Sequence, residues 1–205
     1  MKVATAVLLC FSLPLNSCSI AVEVRDGDVF FSFESGFDNW TARGTDVGAG
    51  GALNWSVTSS TQLARDGASS LRFELNNFSG EGKIWIERVF RVDSTRTRHV
   101  TVRFAFASAD FGTVGNFRIL AGVKRFRPEV GTDLTRLAQD DTGNGLTTQS
   151  SYQWMEKSYT LTIEPLPLNA AMVQGEFWVV IGVWGTSNSH RSYFVDNVRI
   201  TIEES

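Results

Sequence analysis

Strict alternation of apolar and polar residues, repeated in run after run, is what most limits how this chain can fold. From His99 to Ala107, Val100, Val102, Phe104 and Phe106 fall on one side, with Thr101, Arg103 and Ala105 on the other. That is the two-residue period of a strand with one face buried. The same period marks Leu71, Phe73 and Leu75, with Arg72 and Glu74 facing water, and then Ile84, Ile86, Phe90 and Val92, with Arg88 on their side. Phe117, Ile119, Ala121 and Val123 repeat it once more. Such runs, short and joined by turn formers such as Asp66-Gly67, predict antiparallel pairing. Phe177, Val179, Ile181 and Val183 oppose Trp178, Val180 and Trp184, so that run is apolar on both sides. A strand of this kind is central in its sheet, and its second face is either covered by a loop or used as an aromatic platform.

The composition belongs to the same picture, with 15 Phe, 6 Trp and 18 Gly against only 4 Pro and almost no helical periodicity. About nine strands at this spacing predict an all-β fold, a two-sheet antiparallel sandwich of jelly-roll type. The longest stretch without alternation runs from Arg125 to Ser151, and a loop with a short helical turn at Leu134 to Gln139 is expected there. Its Asp140, Asp141 and Asn144 have the character of turn residues.

The closing run, Tyr193 to Ile202, sets a chemical problem. Under a period of two, Phe194, Val198, Ile200 and Ile202 face the core, and Asp196 lies among them. A buried carboxylate needs backbone N–H donors, a cation or a metal. Arg88 is one candidate cation, and capping of backbone N–H groups is the simpler alternative.

Lys2 followed by the apolar run Val3 to Leu15 has the form of a secretory signal and is too short to span a bilayer. Leu15-Asn16-Ser17-Cys18 resembles the bacterial lipobox, which would make Cys18 the lipidated N-terminus. Cys10 would be removed with the signal, leaving Cys18 without a disulfide partner. Cleavage after Ser19-Ile20-Ala21 is the alternative. The expected organisation is a signal peptide over 1–17, a tether over 18–28 and one sandwich domain over 29–205. Its expected place is the outer membrane or cell surface as a lipoprotein, held to the membrane by the lipid, or else secreted. A net charge of −3 with no basic stripe argues against nucleic acid as a partner. The protein is expected to be monomeric.

Three segments together resemble jelly-roll carbohydrate-binding modules of the galactose-binding-like type. They are Phe33-Glu34-Ser35-Gly36 with Trp40, Asp66-Gly67-Ala68-Ser69-Ser70-Leu71, and Tyr193-Phe194-Val195-Asp196-Asn197-Val198. The resemblance spans roughly residues 28 to 203 and implies polysaccharide or glycan as the partner. It also implies a structural calcium at Glu34, Asp66 and Asp196, since calcium favours a mixed cage of carboxylate and carbonyl oxygens. Phe31-Ser32 stand where family members often carry Asn-Gly-Asp, which removes an early side-chain ligand.

Sugar recognition needs flat aromatic faces and planar polar groups. Trp85, Trp178 and Trp184 lie on strand faces opposite the core positions, Trp154 starts a strand, and Arg118 and Tyr193 share the non-core parity. Each tryptophan has core packing as its alternative, because Trp is highly buried on average. Trp40 and Trp55 are expected to pack under the opening loops. A non-catalytic binding module is the expected function, and an adhesive protein that binds another protein is the alternative. A polysaccharide lyase or glycosidase would need His190, Arg191 and Tyr193 to converge in a cleft. No zinc-binding helix motif or nucleophile elbow is present.

Overall fold

A computed structural model describes residues 21–23, 27–45, 54–77, 80–92, 95–112, 116–128, 132–148, 151–165 and 175–205. The expected signal peptide over 1–17 and the expected lipidation site Cys18 lie outside the described residues. The strands in chain order are β1 (Val22–Glu23), β2 (Gly27–Phe31), β3 (Thr41–Thr45), β4 (Trp55–Ser60), β5 (Ser70–Asn77), β6 (Lys83–Arg91), β7 (Arg98–Ser108) and β8 (Phe117–Lys124). They continue with a one-turn helix α1 (Thr132–Thr135), then β9 (Ala138–Asp141), β10 (Gln153–Ile163), β11 (Glu176–Gly185) and β12 (Ser189–Glu204). Among the described residues no helix is long and apolar enough to cross a membrane.

The strands form two six-stranded sheets packed face to face, the jelly-roll sandwich that the alternation predicts. Sheet A runs β1-β6-β11-β8-β9, with β3 also on β6; sheet B runs β10-β7-β12-β5-β4, with β2 also on β12. All pairings are antiparallel except β1 with β6, where Val22 faces Phe90. Among the described residues, sheet pairing includes Val22, within the stretch expected to be a tether.

Between the sheets lies one apolar core. Leu71, Phe73 and Leu75 of β5 and Val100, Val102, Phe104 and Phe106 of β7 meet Ile84, Ile86 and Phe90 of β6 and Phe177, Val179, Ile181 and Val183 of β11. These are the inward positions that the two-residue period assigned. Arg88 also points inward. Its guanidinium lies 4.5 Å from the Phe31 ring and donates to the Asp38 carbonyl oxygen. Burial lowers its pKa, and the Asp38 carboxylate partly offsets that.

The closing strand departs from the expected pattern. A β-bulge between Asp196 and Arg199 shifts the pairing of β12 with β7, and Asn197 there adopts a φ of 51°. An extra residue reverses the parity of everything before it. Val198, Ile200 and Ile202 do enter the core, but upstream of the bulge the inward residues are Val195 and Tyr193. Phe194 and Asp196 face outward, opposite Ala107 and Ala105. Both are nevertheless buried, Phe194 with its ring edge-on to Tyr152 at 5.0 Å.

Candidate functional site

The outer face of sheet A is where most of the expected binding residues gather, and its local chemistry is unusual. Cross-strand register sets out rows of side chains. In one row Lys83, Trp184, Arg118 and Asp141 lie side by side on β6, β11, β8 and β9. The next row carries Trp85, Gly182 and Leu120, the one after it Glu87 and Val180, and the last Val89, Trp178 and Lys124.

The centre of this face is covered by residues 134–138. Leu134 of α1 and Leu137 just before β9 pack on Trp85, Leu120 and Val180 in a second apolar cluster, separate from the main core. β11 and β6 approach this closely beside Trp85 because residue 182 is glycine. A Cβ at 182 would sit 2.2 Å from the Ile84 carbonyl oxygen and 2.6 Å from the Trp85 Cβ.

Beside this cover sits a buried carboxylate. Glu87 is fully buried, accepting a hydrogen bond of 2.8 Å from the Trp85 indole N–H and one of 2.6 Å from Arg127 Nε. Arg43 of β3 adds an ion pair at 3.5 Å. Two guanidiniums thus answer one charge, as burial of an ionised carboxylate requires. Arg127 also lies over the Trp178 ring at 5.3 Å, and Lys83 Nζ lies over the Trp184 ring at 4.8 Å. Each half-buried indole is therefore already capped by a cation.

The six expected sugar-binding residues separate into three groups. Trp178, Trp184 and Arg118 are partly or fully exposed on the outer face of sheet A. Trp85 shares that face but is 1% exposed under Leu134 and Leu137, so it supports the site from below and is no platform. Trp154 lies on the far side of the molecule, on the outer face of sheet B beside Ala107. Tyr193 is in the core, because the Asn197 bulge turned it inward. Its ring stacks on Phe106 at 5.3 Å and its hydroxyl donates to Asp110 Oδ2 at 2.7 Å. Burial first, and then the Asp110 carboxylate, push the Tyr193 phenol well above its ordinary pKa.

Arg191 Nε donates to the same Asp110 at 3.0 Å, while His190 projects to the opposite face of β12, paired with Asn76. The trio His190, Arg191 and Tyr193 does not converge in a cleft. The most exposed aromatic that was not singled out from the sequence is Phe126, 63% exposed, between Arg125 and Arg127 just after β8. Its signal was the basic-aromatic run Lys124-Arg125-Phe126-Arg127.

The second expected site lies at the turn entering β5. Asp196 accepts backbone hydrogen bonds from Arg65 at 2.8 Å, Asn197 at 2.8 Å and Asp66 at 3.5 Å. Glu34 accepts from Ala68 at 3.0 Å and Ser69 at 3.0 Å. Gly67, at a φ of 70°, makes this approach possible, since a Cβ there would lie 2.5 Å from Glu34 Oε1. Asp66 is engaged by the Asn197 side-chain amide. Asp196 thus caps backbone N–H groups, and Arg88 is bound elsewhere. Desolvation raises the Asp196 pKa, the three N–H bonds oppose it, and the Glu34 charge raises it further. Among the described residues no group of three or more His, Cys, Asp or Glu side chains is arranged to hold a metal.

The same sandwich occurs in solved structures of low sequence identity. The K1 cleaved adhesin domain of Lys-gingipain from Porphyromonas gingivalis W83 matches with a TM-score of 0.50 at 10% identity, over 85% of this chain and 97% of that one. The CBM22-1 xylan-binding domain of Paenibacillus barcinonensis Xyn10C matches with a TM-score of 0.47 at 14% identity, over 89% of this chain and 99% of that one. A third match comes from work on carbohydrate-binding modules of the beta-sandwich superfamily, with a TM-score of 0.44 and 17% identity over 82% of this chain. The present chain spans 59% of that third structure's length. No protein-family profile matches the chain, and neither does any curated protein. The chain is an all-β sandwich, similar in fold to the K1 cleaved adhesin domain.

Proposed function

We propose that this protein is an exported, lipid-anchored, non-catalytic carbohydrate-binding sandwich that acts at a cell surface, with its glycan site on the outer face of sheet A. One observation carries the reading: Trp178 and Trp184 stand half-buried on that face, fixed by cations and supported by the buried Trp85 and Glu87. Rigid aromatic edges beside planar guanidiniums are what pyranose C–H faces and hydroxyls require. Affinity electrophoresis through gels containing xylan, galactan, β-glucan or polyuronate tests it. Retardation in at least one gel, reduced by Trp184→Ala, is the expected result. Unretarded migration of the folded protein in every gel would overturn it. Adhesion to a protein partner draws on one different feature: Phe111 and Leu146 are 40% and 41% exposed on loops joined by the Gly112 N–H to Leu146 carbonyl bond.

The anchor rests on Cys18, and Cys18→Ser is expected to move the protein from the membrane fraction to the soluble one. Calcium belongs to the same reading. Glu34 and Asp196 bring two carboxylates to one turn, with Asp66 beside them; burial first and the Glu34 charge last raise the Asp196 pKa, and a hard cation there would offset both. Backbone carbonyls would have to complete its oxygen shell. Chelation is then expected to lower the melting temperature, because an ion bound only by the folded state stabilises it. An unchanged melting temperature would remove the ion from the account.

A further inference from the structure

The charge around the two indoles narrows the ligand class. Glu87, the carboxylate at the centre of this face, is fully buried and answered by Arg43 and Arg127, so it presents no negative charge to a ligand. Cations remain. Arg118 is exposed and next in register to Trp184, and Lys124 is next in register to Trp178. Among the described residues neither has a hydrogen-bond or ion-pair partner. Asp141, the neighbour of Arg118 on its other side, accepts instead from the Gly143 N–H at 3.0 Å. Phe126, exposed beside Arg127, adds an apolar surface at the Trp178 end.

This arrangement is at odds with the chain's net charge of −3. A surface cation without a partner is ordinary by itself. Two of them, each beside a half-exposed indole on one strand, match a chain ligand with both a sugar-ring face and a repeated negative charge. Trp178 and Trp184 are six residues apart on β11, about 20 Å at strand rise, so a ligand reaching both would be extended and would pass over the Leu134 and Leu137 cover. We infer that the outer face of sheet A recognises an anionic polysaccharide, its carboxylates or sulfate esters meeting Arg118 and Lys124 while ring faces meet Trp184, Trp178 and Phe126.

This rests on the carbohydrate-binding reading, and pairs matched in backbone but different in charge separate the two. Calorimetry on the purified protein would use polygalacturonate against its methyl ester, and dextran sulfate against dextran. The charged member of at least one pair is expected to bind roughly tenfold more tightly than its neutral partner, and to weaken between about 50 and about 500 mM NaCl as charges are screened. Which pair responds tells carboxylate from sulfate. Arg118→Gln is expected to weaken the charged ligand roughly fivefold, as for loss of one charge-assisted contact, with an unchanged melting temperature. Neutral polysaccharides binding as well as charged ones would overturn the inference and leave the carbohydrate reading intact. No binding to any polysaccharide would overturn both. Duplex DNA bound as tightly as the polyanionic glycans would show that charge alone is read, and would also overturn it.

Discussion

The outer faces of the two sheets are built on opposite lines. On sheet B, β10 and β7 present Thr160 and Thr101, joined hydroxyl to hydroxyl at 2.9 Å, with the exposed Arg103 and Ser158 beside them. Such groups are satisfied by water as well as by each other, and the face needs nothing further to be stable. On sheet A, the equivalent positions hold a fully buried carboxylate, two guanidiniums, a buried indole and an apolar cover. Every member there depends on another being in place, and a partly satisfied network costs more than an apolar surface would. The contrast teaches that sheet B wears an ordinary solvated face around Thr101 and Thr160, away from its covered Phe194 and Asp196 end, whereas sheet A carries a constructed one at its centre.

The contrast can be broken first at Leu134. It is fully buried in the cover, and Leu134→Ala should cost about 3 kcal/mol of unfolding free energy by the lost transfer and the cavity left behind. Denaturant titration would read it. Glu87→Gln should follow at about 2 kcal/mol, since it leaves Arg43 and Arg127 unanswered although both keep some contact with water. The double change Glu87→Gln with Arg127→Gln should recover part of that loss, and strict additivity would deny the network.

Alkaline pH sharpens the comparison at the core edge. Tyr193 holds its proton well above the ordinary phenol pKa of 10.0 when folded. The unfolded chain therefore releases a proton that the folded chain keeps, so stability is flat below pH ~10 and falls above it. The loss should approach about 1.4 kcal/mol per pH unit from this residue. Tyr193→Phe should flatten that fall, as judged by melting temperatures across the alkaline range. The smallest effect is expected on sheet B, where Thr160→Ala should change stability by less than about 0.5 kcal/mol. A loss there as large as that at Leu134 would erase the distinction between the faces.

Much of the sandwich was legible because its strands bury one face each. The inward residues of β5, β6, β7, β8 and β11 follow directly from alternation, and the two-sided apolarity of β11 left a covering loop or an aromatic platform as the alternatives, of which the cover is present at the centre. The cover itself was not legible. Leu134 and Leu137 reach Trp85 across about 50 residues of chain, and their stretch has no period from which the contact could be inferred. Tyr193 and Phe194 were assigned to the wrong faces for a sharper reason. The Asn197 bulge leaves almost no trace in sequence, since Asn tolerates positive φ in many settings, yet one extra residue exchanges the two sides of the strand. Asp196 was correctly expected to be buried and in need of partners, although it meets them on the outer side.

Ligand-induced change in tryptophan fluorescence compares the two faces most directly, because Trp184 and Trp154 stand on opposite outer surfaces. Titration of the protein with a polysaccharide that it retains should give a saturable change that survives Trp154→Phe and is lost or strongly reduced in Trp184→Phe. A signal abolished by Trp154→Phe and unchanged by Trp184→Phe would place the ligand on sheet B and contradict the account.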